Sequence, residues 1–313
     1  MKRKRTLIAC GISILLFSGG CSNIDMGTKS ESQKTDTKQD ESDRPKDMYE
    51  SVLTYTGDGY DLPGGEENEE IAKEHKDEVI KATKDYLKKE YNTDVEVHNI
   101  AGNQDGVTVF YESVGNIHFY STAIVPIDTQ NKKILTDQVW TLEGRVETAI
   151  KGALYAYIMD NEFEVLDDLL ESIGKNNHIV GRLEESLENT GGNGYMTPYY
   201  FVVVRDDEAM TPVYNLYMKK PSASRQELAA EYLPSKFDSE KIGFSVQFFM
   251  KDQKSKPDKN VLDLIVNEIE RNDGVPKGHY EVRLHDNYVI KSKSEGFKDN
   301  SLERAYPDEI IKN

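Results

Sequence analysis

Hydrophobic positions in this chain recur with two periods, and the alternation between them lays out the elements. Over residues 66–91, Ile71, His75, Val79, Ala82 and Tyr86 return every three or four positions, which places them on one face of a helix. The signal is clearer from Val146, where Ala149, Ile150, Ala153, Leu154, Tyr157 and Ile158 follow at the same steps. Phe163, Leu166, Leu169, Leu170 and Ile173 extend or follow that helix, leaving Glu162, Glu164, Asp167, Asp168 and Glu171 on its wet side. Residues 258–271 predict another amphipathic helix. Ser224-Arg225-Gln226-Glu227 has the form of a capping box, opening a short helix that Pro234 ends.

Between these stretches the period drops to two. Residues 95–97, 107–111 and 118–125 alternate or are rich in β-branched and aromatic side chains, with turn residues at 102–106 and 114–116 between them. Connections so short force antiparallel pairing. Residues 138–141 are strand-like, 199–205 and 213–218 read as a strand pair, and 242–250 as a single strand. Residues 280–284 and 288–291 predict a hairpin turning at Asp286-Asn287. Strands cluster with short links instead of alternating one-for-one with helices. The predicted class is therefore α+β, with antiparallel sheets against packed amphipathic helices. Each half opens with a helix, which allows two similar lobes, 51–141 and 142–313, although no fixed-period repeat is present.

The first residues have another pattern. Lys2, Arg3, Lys4 and Arg5 precede an apolar run at 6–17, and the small residues Ser18, Gly19 and Gly20 follow. This is the layout of a secretory signal peptide, here 1–20. The run is well short of the ~20 residues that span a bilayer as a stable helix. Ser18-Gly19-Gly20-Cys21 resembles the lipobox of bacterial lipoproteins, with Ser18 where the usual pattern prefers Leu. The resemblance implies that Cys21 is lipidated and becomes the new N-terminus, carrying at least a diacylglyceryl group. The alternative is an ordinary signal peptide followed by an incidental cysteine. At about 0.8 kcal/mol per buried methylene, one acyl chain holds marginally and two hold durably. Residues 21–50 are then the lipidated cysteine and a tether, with almost no large apolar side chains to offset ordering entropy. Such a chain has an end-to-end distance of roughly 30 Å, which keeps the folded part near the membrane.

Composition narrows the partners. The 313 residues carry a formal net charge of −17, and removing the basic n-region makes the rest more negative still. An acidic surface repels nucleic acid and anionic headgroups, so no nucleic-acid partner is expected and the membrane link is the lipid on Cys21. The two cysteines are Cys10, inside the signal peptide, and Cys21. The folded part therefore has no disulfide framework and no thiolate or cysteine–zinc chemistry.

Catalytic motifs are scarce along the chain. Gly243-Phe244-Ser245-Val246 is followed by Gln247, so the nucleophile-elbow pattern fails. Ser172-Ile173-Gly174-Lys175 matches Ser-x-x-Lys, but Ser-Asp-Asn and Lys-Thr-Gly are absent. The loop 189–194 is glycine-rich without the strand, helix and lysine of a phosphate loop. His75, His98, His118, His178, His279 and His285 show no metal-ligand spacing. The acids at 162–171 read as a solvated face before a cation site. Of the 18 tyrosines, Tyr195, Tyr199, Tyr200, Tyr214 and Tyr217 concentrate in one region, where rings could face a sugar or a protein partner or simply fill strands. No catalytic, cofactor or metal residue is assigned; the assigned site is lipidation at Cys21.

The junction at Cys21, Asp58-Gly59-Tyr60-Asp61-Leu62-Pro63-Gly64-Gly65, Val213-Tyr214-Asn215-Leu216-Tyr217-Met218-Lys219-Lys220-Pro221 and Gly243-Phe244-Ser245-Val246-Gln247-Phe248-Phe249 together resemble a family of Gram-positive, largely staphylococcal, lipoproteins classed as a domain of unknown function. That resemblance implies location and anchoring and lends no catalytic residue. The expected function is a membrane-anchored extracytoplasmic lipoprotein, non-enzymatic, binding a protein or cell-wall partner. A solute-binding lipoprotein of a transporter is the alternative, and a wall-active hydrolase the third; whether a small molecule binds is left open.

Overall fold

The computed structural model describes residues 44–192, 194–205 and 207–313. The predicted signal peptide, Cys21 and most of the predicted tether lie outside the described residues. In chain order the elements begin with β1 (Tyr49–Ser51), α1 (Glu66–Glu74), α2 (Lys76–Tyr91), β2 (Val95–Asn103), β3 (Gly106–Ser113), β4 (Tyr120–Asp128) and β5 (Lys133–Ile134). They continue with α3 (Arg145–Ile158), α4 (Asp160–Asn177), β6 (Ile179–Val180), α5 (Glu184–Thr190), β7 (Tyr195–Met196), β8 (Tyr200–Val204), α6 (Thr211–Lys219) and α7 (Arg225–Ala230). The last are β9 (Ile242–Met250), α8 (Lys259–Arg271), β10 (Gly278–His285), β11 (Tyr288–Ile290), β12 (Leu302–Arg304) and β13 (Ile310–Lys312). The fold class is α+β.

Strands β2 to β5 form a four-stranded antiparallel sheet in sequence order, with Ile100 opposite Val109 and Val107 opposite Val125. The short turns dictate this arrangement, as their length allows no crossover. The predicted helix over 66–91 is two helices. At His75 the backbone leaves the helical region (φ −116°, ψ 27°). Helix α1 then lies on β2 and β3, and α2 on β2 and β4. Ile71, Val79 and Ala82 are buried as their spacing predicts, and His75 sits half-buried with Nδ1 3.4 Å from the Glu78 carboxylate. The α1 N-terminus meets β2 backbone to backbone, since a Cβ on Gly102 would stand 2.1 Å from the Gly65 carbonyl oxygen.

A second, seven-stranded sheet runs β12-β10-β9-β8-β7, with β13 also on β10 and β6 on β9. Here two predictions change. The hairpin expected at Asp286-Asn287 does not form. Instead β10 pairs in parallel with β9 (Val282 opposite Val246), α8 supplying the crossover, while β11 pairs with β1. The reason lies in the turn residues, which are buried and committed elsewhere. Asn287 Nδ2 donates to the carbonyls of Met250 and Lys251, its Oδ1 accepts from Ser51 Oγ, and Asp286 takes Arg44 and Lys298. The strand expected at 213–218 is helix α6. Pro212 opens it, and Val213 and Tyr217, four apart, are its buried face. β-branched and aromatic content suggested a strand; the four-residue spacing decided for a helix. The strand-like 138–141 reduces to a single bridge between Trp140 and Ile124. The ordered fold also starts before residue 51, because Arg44 pairs with Asp286 and Tyr49 to Ser51 join β11.

Helix α3 joins the two sheets, touching β4 of the first and β7 and β8 of the second. The face of α3 between the sheets is apolar, while Glu147, Thr148 and Lys151 lie on its partly exposed side. Val146, Ala149, Ile150, Ala153, Leu154 and Tyr155 are each at most 2% exposed. Its Gly152 lets the β8 backbone approach, as a Cβ there would be 3.0 Å from the Val202 carbonyl oxygen. One apolar core runs from Ile71 to Ile310 through both sheets, and each fully buried Leu or Ile within it is worth roughly 1.5–3 kcal/mol. The predicted boundary near Leu142 falls between the sheets, which differ in strand number and connectivity.

Candidate functional site

Alternation along β8, β9 and β10 gives the second sheet two unlike faces. Val202, Phe244, Val246, Phe248, Val282 and Leu284 point into the core. The residues between them face the other way: Phe201, Ser245, Gln247, Arg283 and His285. They form the floor of a cleft of about 680 Å³, within the range of small-molecule sites. One wall comes from Arg182 and the end of α5 at Thr190 and Gly191. A second is the loop from Lys293 to Phe297, and Tyr60 and Tyr199 border the rest.

The walls are tied by a directional hydrogen-bond chain. Thr190 Oγ1 donates to the Ser186 carbonyl (2.6 Å), which leaves Ser294 Oγ to donate to Thr190 (2.7 Å) and to accept from Arg182 Nη1 (3.4 Å). Arg182 also stands over the Phe249 ring, 5.3 Å from its centroid. Burial, partly offset by Tyr55 and Glu295, draws its pKa down to about 10, so the guanidinium is still charged at neutral pH. On the floor, Arg283 is fully engaged: Nη1 donates to Ser245 Oγ (3.1 Å), Nη2 pairs with Glu281 (2.8 Å) and Nε with Glu303 (3.1 Å). His285 is 1% exposed, with Nδ1 2.8 Å from Ser301 Oγ. Burial, then the charges of Lys298, Arg182 and Arg283, push its pKa down to about 3, so the ring is neutral at pH 7.

Behind the loop wall lies a deeply buried ion pair. Lys298 Nζ is 3.0 Å from Asp286 Oδ1 and also donates to the carbonyls of Tyr288 and Gly296. Burial alone would raise the Asp286 carboxyl, but Lys298, Asn300 and the Tyr288 amide outweigh it and hold the carboxyl below the usual range. This pair pins the cleft loop at Gly296.

The sequence-singled residues divide. Tyr199 and Tyr200 border the cleft at the start of β8, but the Tyr200 ring is on the core face, where it packs near Phe163 and Phe244 and donates to Asp167 (2.7 Å), and Tyr195 packs on Phe163 beside it. Tyr214 and Tyr217 lie away on α6, Tyr214 under the Lys151 ammonium and Tyr217 buried. Asp167, Asp168, Glu164 and Glu171 are exposed on α4, as predicted. Ser172 accepts from Asn176 and Lys175 pairs with Glu171 on that helix surface, so the Ser-x-x-Lys match assembles no site. Ser245 lies on a regular strand beneath Arg283, with no elbow and no base against it. His98 and His118 converge on Glu112, at 3.2 and 2.7 Å, yet no group of three or more ligands among the described residues is arranged to hold a metal. Cys21 lies outside the described residues. Arg182, Ser294 and Phe297 escaped sequence reasoning because they stand in irregular segments, where no periodicity marks them.

A model of the family DUF1672, "Protein of unknown function (DUF1672)", matches residues 42–312. The chain belongs to the DUF1672 family. A crystal structure of a DUF1672 family protein from Staphylococcus aureus subsp. aureus Mu50 superimposes with a TM-score of 0.69 at 15% identity, covering 85% of this chain and 98% of that one. At that identity the likeness shows the fold. No curated protein matches the chain. The DUF1672 match begins at residue 42, next to Arg44, where the described structure starts. No helix among the described residues of this DUF1672 chain is long and apolar enough to cross a membrane.

Proposed function

We propose that this chain is a membrane-anchored extracytoplasmic lipoprotein, acting as a non-enzymatic binding or accessory protein of the cell envelope with the sheet-face cleft as its binding site. The observation that carries the reading is Ser18-Gly19-Gly20-Cys21 directly after a basic cluster and a short apolar run. The cleft supports the binding half: its Arg283 and His285 are held by protein neighbours, while Arg182 and Gln247 keep donors and acceptors for a ligand. Ser245 faces an arginine, and His285 is a neutral, buried ring. A solute-binding role beside a transporter is the second reading, favoured by a cleft volume suited to a small molecule.

Growing cells on a tagged palmitate tests the anchor. The parent chain takes up the label, and the Cys21→Ala chain does not. Equal labelling of the two chains, or no label on either, overturns the reading.

A further inference from the structure

Arg182 brings into the cleft a charge that no carboxylate of the described residues pairs. A guanidinium has five N–H donors, and the side chain spends them on one long bond to Ser294 and the face of Phe249. Ser294 is fixed as an acceptor there, because its own proton goes to Thr190. Arg283, on the same cleft, shows the contrast: each part of its fork meets a protein oxygen. The chain has 56 acidic residues against 39 basic ones, so an acidic partner for Arg182 was available to the fold in abundance and is absent at this position. Glu295 acts on it only through the field, beyond ion-pair distance, from the exposed rim.

An unmated planar fork suits an oxyanion, which it grips through two parallel bonds. The cleft is much larger than a bare anion needs. Beside Arg182 it offers the Gln247 side-chain amide, without a hydrogen-bond partner among the described residues, and the Phe297 ring, 42% exposed. Amide and aromatic face together fit a hydroxylated body. We propose that the cleft binds a small solute carrying a phosphate or carboxylate on a hydroxylated body, with Arg182 holding the oxyanion and Gln247 and Phe297 holding the body. This rests on the cleft being a binding site and names what it takes.

The test is calorimetric titration of the full chain in detergent with glycerol 3-phosphate, galacturonate, glycerol and galactose. The charged ligand of at least one pair binds about tenfold or more tightly than its neutral counterpart, and which pair responds tells phosphate from carboxylate. Arg182→Gln weakens that ligand by about 10- to 100-fold, the scale of a lost charge-assisted contact, and leaves the neutral bodies unchanged. Arg182→Lys restores part of the loss, having charge without the fork. Binding of neither charged ligand, or equal binding to a folded Arg182→Gln chain, overturns the proposal. If Arg182→Gln does not fold, a crystal of the parent grown with inorganic phosphate decides: density on the guanidinium supports the proposal, and density elsewhere or none overturns it. Palmitate label on Cys21, read on the same preparation, separates the two ideas. Label without anion binding removes the ligand and leaves the anchored reading standing.

Discussion

Replacing Asp286 by Asn keeps shape and removes one charge from the cluster behind the cleft. The parent carboxylate is 6% exposed and takes Lys298 (3% exposed) at 3.0 Å and Arg44 at 2.7 Å, with Asn300 Nδ2 and the Tyr288 amide also donating to it. After the change Lys298 keeps two carbonyl partners and no counter-charge. Breaking a buried pair from one side costs about 3–5 kcal/mol, since the remaining charge stays out of water uncompensated. For a chain of this size each kcal/mol moves Tm by about 2–4 °C, so the midpoint should fall by roughly 6–20 °C. Scanning calorimetry of the full chain reads this directly. The double change Asp286→Asn with Lys298→Met should regain more than half of the loss, because it leaves no orphaned ammonium. A single variant within about 1 kcal/mol of the parent, the value of an exposed pair, would refute the reasoning. So would a double variant no more stable than the single one.

Two further outcomes follow from local chemistry. His285 is neutral in the fold, with its pKa lowered to about 3, but gains a proton near pH 6.5 once unfolded. Its contribution is intact above pH 6.5 and is lost as pH falls toward 3, at about 1.4 kcal/mol per pH unit in between. Urea unfolding from pH 6.5 to 4.5 should show that slope in the parent and a slope shallower by this amount in His285→Asn; parallel slopes would contradict it. At Ser224 the hydroxyl accepts from the Glu227 amide (3.3 Å) while the Glu227 carboxylate accepts from the Ser224 amide (2.8 Å). Ser224→Ala should cost about 0.5–2 kcal/mol in the same assay, and no change would mean that α7 is held by packing alone.

Legibility in the sequence followed periodicity. Helix α3, strands β2 to β4, strand β9, helix α8 and the Ser224 box each carry a local pattern strong enough to name them. The failures share a cause: long-range contacts outrank local content. Asp286-Asn287 is good turn chemistry, yet Arg44, Ser51, Lys298 and the backbone after β9 claim both side chains and send β11 to β1. Residues 213–218 have strand composition, but Pro212 and a buried Val213–Tyr217 face make them helical. The cleft floor was half legible, since Ser245-Val246-Gln247 and Arg283-Leu284-His285 alternate polar with apolar. Nothing local joins Arg182 to Ser294. They meet only because β6 and β11 flank the same β9 region in space.

The anchor is the central claim, and the mature N-terminus tests it most directly. The chain extracted from membranes with detergent should, by intact mass and terminal peptide, begin at Cys21, lack residues 1–20 and carry a diacylglyceryl group on the sulfur. A chain that keeps Met1, or begins elsewhere with Cys21 absent or unmodified, would contradict it.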